Sequence, residues 1–159
     1  MVTIKEAAAD FLAQKRIAVV GVSRNPQGHG SNIVYQRLRE RGYEVFAVNP
    51  NATEIEGDPC YPNLGSIPGE VDAIVIGTSP DNAVAVMEDA VAHGIKRVWM
   101  HRSFGAGSVS DEATELGRKS DVTVIDGGCP LMFDPVADFA HKCMRPILTL
   151  TGSVPKKVS

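Results

Sequence analysis

The chain has 159 residues, 43% hydrophobic and 22% charged, with a formal net charge of -3. That length suits one domain with a real core, and the mild, evenly mixed charge argues against nucleic-acid or membrane-surface partners. No apolar run reaches transmembrane length, and Lys5, Glu6 and Asp10 break up the opening residues where a signal peptide needs an apolar centre.

Ile4, Ala7, Ala8, Phe11 and Leu12 recur at helical spacing and predict a helix over 3–14, with Thr3 as N-cap and Glu6 three residues on. Arg16 to Val20 is a buried strand. A glycine-rich polar turn follows, and Ser31 to Arg41 is a helix stopped by Gly42. Tyr43 to Val48 is a second strand, ended by Asn49 and Pro50. Residues 51–68 form a polar connection with one helical turn near 63–67. Val71 to Ile76 is a β-branched strand ending in the turn Gly77 to Pro80, and Pro80 to His93 is a helix ended by Gly94. Arg97 to Met100 is a fourth strand, 101–110 a glycine- and serine-rich loop, Asp111 to Lys119 a helix, and Val122 to Ile125 a fifth strand. A last short helix is expected over 135–144, then a loosely ordered tail.

Continuous apolar strands alternating with amphipathic helices define an α/β fold: a doubly wound, mainly parallel, five-stranded sheet in a single domain. The expected boundaries are 1–145 for the domain and 146–159 for a C-terminal tail. In such a sheet the ligand sits outside the strands' carboxyl ends, near a topological switch point. Five segments then converge there: 21–31, Asn49 with Pro50, 77–80, 101–107 and 126–130.

The first of these is the most informative. A turn from a strand into a helix N-terminus is a ready site for phosphate. Gly21, Ser23, Arg24, Asn25, Gly30 and Ser31 are its candidate contacts, with Arg24 offering a planar donor fork. The turn departs from the dinucleotide fingerprint: Ser23 and Pro26 stand where its second and third glycines belong, and extra residues precede Gly28 and Gly30. The second strand ends in Asn49-Pro50 rather than the carboxylate that NAD domains use for the ribose. Thr78, Ser79 and Pro80 begin the next helix, where Thr78 or Ser79 can cap it.

Together these residues resemble the CoA-binding protein family, small Rossmann-like domains similar to that of succinyl-CoA synthetase α subunits. The resemblance is carried by Val20 to Pro26, Gly30-Ser31, Gly42 to Pro50, Gly57 with Cys60 to Pro62, Ile67-Pro68, Val71-Asp72, Val98 to Met100 and Cys129-Pro130. It implies coenzyme A, or an acyl-CoA, as ligand. Gly21, Ser23, Arg24, Asn25, Gly30 and Ser31 would cradle phosphates, and Asn49 and Pro50 would lie near ribose or adenine. Thr78, Ser79 and Pro80 would lie near pyrophosphate or pantetheine. After Trp99-Met100 the family often runs into a glutamine-containing segment, where this chain has His101 to Gly107.

No complete catalytic constellation is visible, so the leading expectation is a non-catalytic sensor, carrier or accessory protein. Two alternatives stay open: a CoA-dependent transferase or ligase component working with a partner chain, and an NAD(P)-binding protein. Cys60, Cys129 and Cys143 form no disulfide framework and suit a cytoplasmic setting. Cys129 past the fifth strand is read as a buried inert thiol before a reactive one, and Cys129, His141 and Cys143 match no standard zinc spacing. His93 at a helix end fits the dipole; His29 falls in the phosphate loop, and His101 stands at a strand end. A homo-oligomer or a partner protein is the expected association.

Overall fold

A computed structural model describes residues 2–25, 29–103, 105 and 107–158. The chain opens with the short strand β1 (Val2–Thr3) and helix α1 (Ile4–Leu12), whose N-cap Thr3 makes the reciprocal capping box with Glu6. Then come β2 (Arg16–Val20), α2 (Gly30–Glu40), β3 (Glu44–Val48), β4 (Glu54–Ile55), β5 (Asp58–Tyr61) and β6 (Ala73–Ile76). Helix α3 (Pro80–Ala92), β7 (Arg97–Met100), α4 (Asp111–Lys119), β8 (Thr123–Asp126), α5 (Phe139–Leu150) and β9 (Lys157–Val158) complete it.

The main sheet runs β4-β5-β3-β2-β6-β7-β8, parallel throughout except for the antiparallel β4. The five expected strands are its centre and far edge. Two more, β4 and β5, come from the connection that was expected to be irregular. They extend the sheet beyond β3 with β4 outermost; Pro59 of β5, which has no N–H to donate, stands just before the pairing with β3 begins at Cys60. Asp58 anchors this edge to α2: its carboxylate accepts from the Tyr35 hydroxyl at 2.6 Å and from Arg39 at 2.5 Å. Those two bonds hold the Asp58 carboxyl below its usual range.

Strand residues alternate between two cores. Ile17, Val19, Ala73, Val75, Trp99 and Ile125 pack with Phe11 of α1, Val34, Tyr35 and Leu38 of α2, and Leu148 of α5. Ala18, Val20, Ile74, Ile76, Val98, Met100 and Val124 pack with Ala83, Met87 and Ala90 of α3 and Ala113 of α4. The sheet is therefore buried on both faces, which is why its strands read as unbroken apolar runs. Trp99 is the largest side chain fully enclosed; Phe11 and Phe133 flank it at 5.4 and 5.5 Å, and its indole donates to the Gly127 carbonyl.

The C-terminal residues correct the expectation of a loose tail. The last helix is α5, Phe139–Leu150, placed later than the 135–144 expected. The chain then turns at Gly152, buries Val154 and Val158, and pairs β9 antiparallel with β1 through Val158↔Val2 and Lys157↔Thr3. A boundary at residue 145 would cut through a continuous helix whose Leu148 belongs to the core.

Candidate functional site

Strand β2 is the switch point. From it the chain crosses through α2 to β3 on one side, and the later crossovers lead to β6 on the other. At the carboxyl ends of β2 and β3 lies a cavity of about 650 Å³, a size that suits a small-molecule cofactor. Gly21, Asn49, Pro50 and Thr78 line it, so three of the expected strand-end segments do meet. Asn63, Leu64, Asn82, Val86 and Asp89 also line it, and none of them is among the expected site residues.

The floor depends on close backbone approach. Gly21 has φ +95, and a Cβ there would sit 2.8 Å from the Gly77 carbonyl carbon and 2.9 Å from the Thr78 nitrogen. The turns after β2 and β6 thus touch through backbone. Ser31, the second residue of α2, is buried and donates its hydroxyl to the Gly21 carbonyl at 3.0 Å. Its side chain fixes the turn.

The loop after Gly21 is held by a residue that sequence reasoning missed. Asn32 is fully buried; its Oδ1 accepts from the Ser23 backbone N–H at 2.8 Å and its Nδ2 donates to the Ser23 carbonyl at 2.9 Å. Ser23 Oγ then accepts from the Asn25 N–H at 3.1 Å. This locks 23–25 against α2 and leaves Arg24 and Asn25 exposed. Asn32→Ala orphans two buried backbone groups and is expected to cost about 2 kcal/mol. A denaturant midpoint equal to wild type would remove Asn32 from this role. Pro26 and Gly28, also part of the expected loop, lie outside the described residues.

Asn49 does a similar job at the end of β3. Its Nδ2 donates to the Val22 carbonyl at 2.9 Å, and its Oδ1 accepts from the Asn51 N–H at 2.8 Å. The amide ties β3 to the glycine loop and presents no carboxylate to the cavity. Neither hydroxyl expected to cap α3 does so: Ser79 is the N-cap but its Oγ accepts from Asn82 Nδ2 at 3.1 Å instead of a backbone N–H, and Thr78 Oγ1 donates to the Ser79 carbonyl.

The helix starts divide by location. α1, α4 and α5 are capped by the side chains of Thr3, Ser110 and Asp138. α2 and α3, the two that start at the strand-end crevice, have no side-chain cap, and α2 carries no acid in its first turn. The start of α2 therefore offers its first-turn N–H groups and positive dipole end to an outside acceptor, whereas α3 begins at Pro80, carries Asp81 in its first turn and spends the Asn82 N–H on the Ser79 carbonyl. The arrangement fits an anionic group.

The far strand ends behave differently. The 126–130 segment, expected in the crevice, is roofed by the C-terminal residues: Gly128 N–H donates to the Ser153 carbonyl at 2.8 Å, and a Cβ on Gly127 would sit 2.5 Å from that oxygen. Cys129 is 2% exposed, and burial pushes its thiol up to about 12, so it stays protonated near neutrality. His101, by contrast, lies against the start of α2: a Cβ on Gly30 would sit 3.0 Å from its Cε1. Burial first, then the neighbouring His141, pushes His101 down to about 4. His141 in turn holds the Asp138 carboxylate at 2.8 Å, and Arg37 lies 3.3 Å from it. Burial works against the Asp138 charge, but these partners keep its carboxyl below the usual range. His29 is the exposed N-cap of α2, and His93 closes α3 with Nδ1 2.8 Å from the Asp89 carbonyl.

A mainly parallel sheet wound on both faces, with its crevice at the switch point, defines a Rossmann-like domain. Comparison with known proteins narrows the class: residues 15–135 match the model of the CoA binding domain family, and the chain belongs to that family. It is 36% identical over 112 residues to the ADP-forming acetate–CoA ligase II of Archaeoglobus fulgidus, an alignment covering 69% of this chain and 15% of that enzyme. It is 30% identical to the uncharacterized protein YneT of Bacillus subtilis, covering 72% of this chain and 82% of that one. Among solved structures, a hypothetical protein from Pyrococcus horikoshii superposes with a TM-score of 0.69 at 30% identity, covering 76% of this chain and 82% of that one. The acetyl-coenzyme A synthetase 1 of Candidatus Korarchaeum cryptofilum, solved with phosphate and ADP, superposes at 0.59 and 27% identity, covering 70% of this chain and 25% of the enzyme. The chain thus spans only a small part of the ligases it matches.

Proposed function

We propose that the chain binds coenzyme A, or an acyl-CoA, in the crevice at the ends of β2, β3 and β6, and acts as a non-catalytic sensor, carrier or accessory protein. The observation that carries this reading is the uncapped start of α2, free of acid in its first turn, which is bonded through Ser31 to Gly21 at the wall of a cavity of about 650 Å³. The start of α2 at Gly30 and Ser31 supplies backbone donors for the anionic groups, and the exposed Arg24 of the loop 21–25, with Ser23 and Asn25 beside it, supplies a charge. Asn49 and Pro50 form the wall for the nucleoside end, and Thr78, with Ser79 and Pro80 beside it, lies toward the pyrophosphate or pantetheine. A neutral Asn49 in place of an acid accepts a phosphorylated ribose and disfavours NAD. The protonated, enclosed Cys129 thiol supports a binding role over a catalytic one. Three free thiols, two of them buried, suit the reducing cytoplasm.

A second reading is favoured by a specific likeness. The alignment with the alpha subunit of the Pyrococcus furiosus ADP-forming acetate–CoA ligase II covers 75% of this chain and 27% of that subunit. On this reading the chain presents CoA to a partner that carries the chemistry.

Thermal melts with CoA, acetyl-CoA, 3′-dephospho-CoA, NAD and NADP separate these ligands, because a native-state ligand raises stability by mass action. CoA at about 100 times its dissociation constant is expected to add about 2.7 kcal/mol. Arg24→Ala is expected to weaken CoA binding about tenfold with the melting temperature of the ligand-free protein unchanged. Stabilisation by NAD or NADP without any by CoA would overturn the assignment.

A further inference from the structure

We propose that the exposed face of α5 is a self-complementary docking surface for a second copy of this chain. This rests on α5 alone and stands apart from the CoA reading. Phe139, Cys143, Ile147 and Leu150 follow one another at steps of four, four and three, the spacing of a single helix stripe. All four face solvent: Phe139 is 83%, Ile147 63% and Leu150 85% exposed, and Cys143 is exposed. The opposite side of the helix is where the core contact lies, through Leu148.

The stripe presents on the order of 400 Å² of apolar side chain, as large as the biggest patch on a typical monomer. With a polar rim it approaches the roughly 800 Å² per partner of a standard interface. Its order suits a twofold pair. In an antiparallel arrangement about a centre near residue 145, Phe139 meets Leu150 of the second copy and Cys143 meets Ile147, and each contact occurs twice. That is the condition for an isologous interface.

Charge does not oppose the pairing. The basic side chains along α5 are each engaged within their own chain: Lys142 with Asp134 at 2.9 Å, His141 with Asp138 at 2.8 Å, and Arg145 with the Met132 carbonyl at 3.2 Å and over the Phe133 ring. The seam between them is uncharged. None of Phe139, Cys143, Ile147 and Leu150 lines the cavity at the strand ends, so this face is free of the ligand crevice.

Sedimentation of the full chain over micromolar concentrations tests the proposal. Wild type is expected to dimerise, and Ile147→Glu with Leu150→Glu to weaken the dimer at least about tenfold while leaving the thermal melt in place. In Ile147→Cys, mild oxidation is expected to join the two copies through Cys143, and adding Cys143→Ala should abolish that product. A wild-type monomer at every concentration, a dimer indifferent to the glutamates, or a cross-link that survives Cys143→Ala overturns the assignment.

Discussion

Gly21→Ala is expected to destabilise the fold by about 3 kcal/mol, the sum of two separate effects. The backbone sits at φ +95, where any side chain is strained, and the new Cβ would fall within 2.8–2.9 Å of three backbone atoms of Gly77 and Thr78. None of these is a flexible side-chain end, so one of the two turns must move. Gly42→Ala isolates the first effect: φ is +86 there, but nothing lies within 4 Å of the added carbon, and a loss of about 1 kcal/mol is expected. Chemical denaturation of both variants gives the difference directly. For a chain this long, the larger loss lowers the melting temperature by about 10 °C. Equal losses at the two glycines would mean that the turns after β2 and β6 do not need backbone contact.

His101 is expected to make the protein lose stability between pH 6.5 and about 4. Its folded value lies below the ordinary histidine value because the ring is buried against the start of α2, with His141 adding a smaller repulsion. The unfolded chain therefore binds the proton more readily. The contribution is complete above pH 6.5 and is lost as the pH falls toward about 4, up to about 3 kcal/mol in all. Asp58 and Asp138 act in the same sense but titrate lower, their folded values falling below an ordinary carboxylate. The interval from pH 6.5 to 4.5 therefore reports mainly on His101. In His101→Gln the stability of the protein should be nearly flat across that interval. A slope identical to wild type would remove His101 as its source.

The central strands were readable because burial on both faces leaves a simple mark: Ile17 to Val20 and Ala73 to Ile76 contain no polar residue at all. β5 left no such mark. Asp58, Pro59, Cys60 and Tyr61 look like a loop, and only the edge of an existing sheet makes them a strand. The same logic governs the site. Gly21, Asn49, Pro50 and Thr78 were legible as strand ends, since the fold class alone brings such ends together. Asn82, Val86 and Asp89 were not, because they stand inside a regular helix, and only the seating of α3 on the sheet turns them toward the cavity. Asn32 was hidden for a related reason. An asparagine within a helix carries no signal unless one knows which loop folds back on it. The C-terminal roof over 126–130 depends on isolated residues, Val154 and Val158, whose burial no periodicity announces.

The pairing of β1 with β9 has a consequence for the order of assembly. Val2 and Val158 are 156 residues apart, whereas Ile17 and Val45, which join β2 to β3, are separated by 28. Each doubling of an enclosed loop costs about 0.6 kcal/mol, so closing the ends directly is about 1.5 kcal/mol harder than pairing those central strands. Two rungs of ladder give little in return until the sheet beneath them exists. The β1–β9 ladder is therefore expected to close after the central sheet and to open before it.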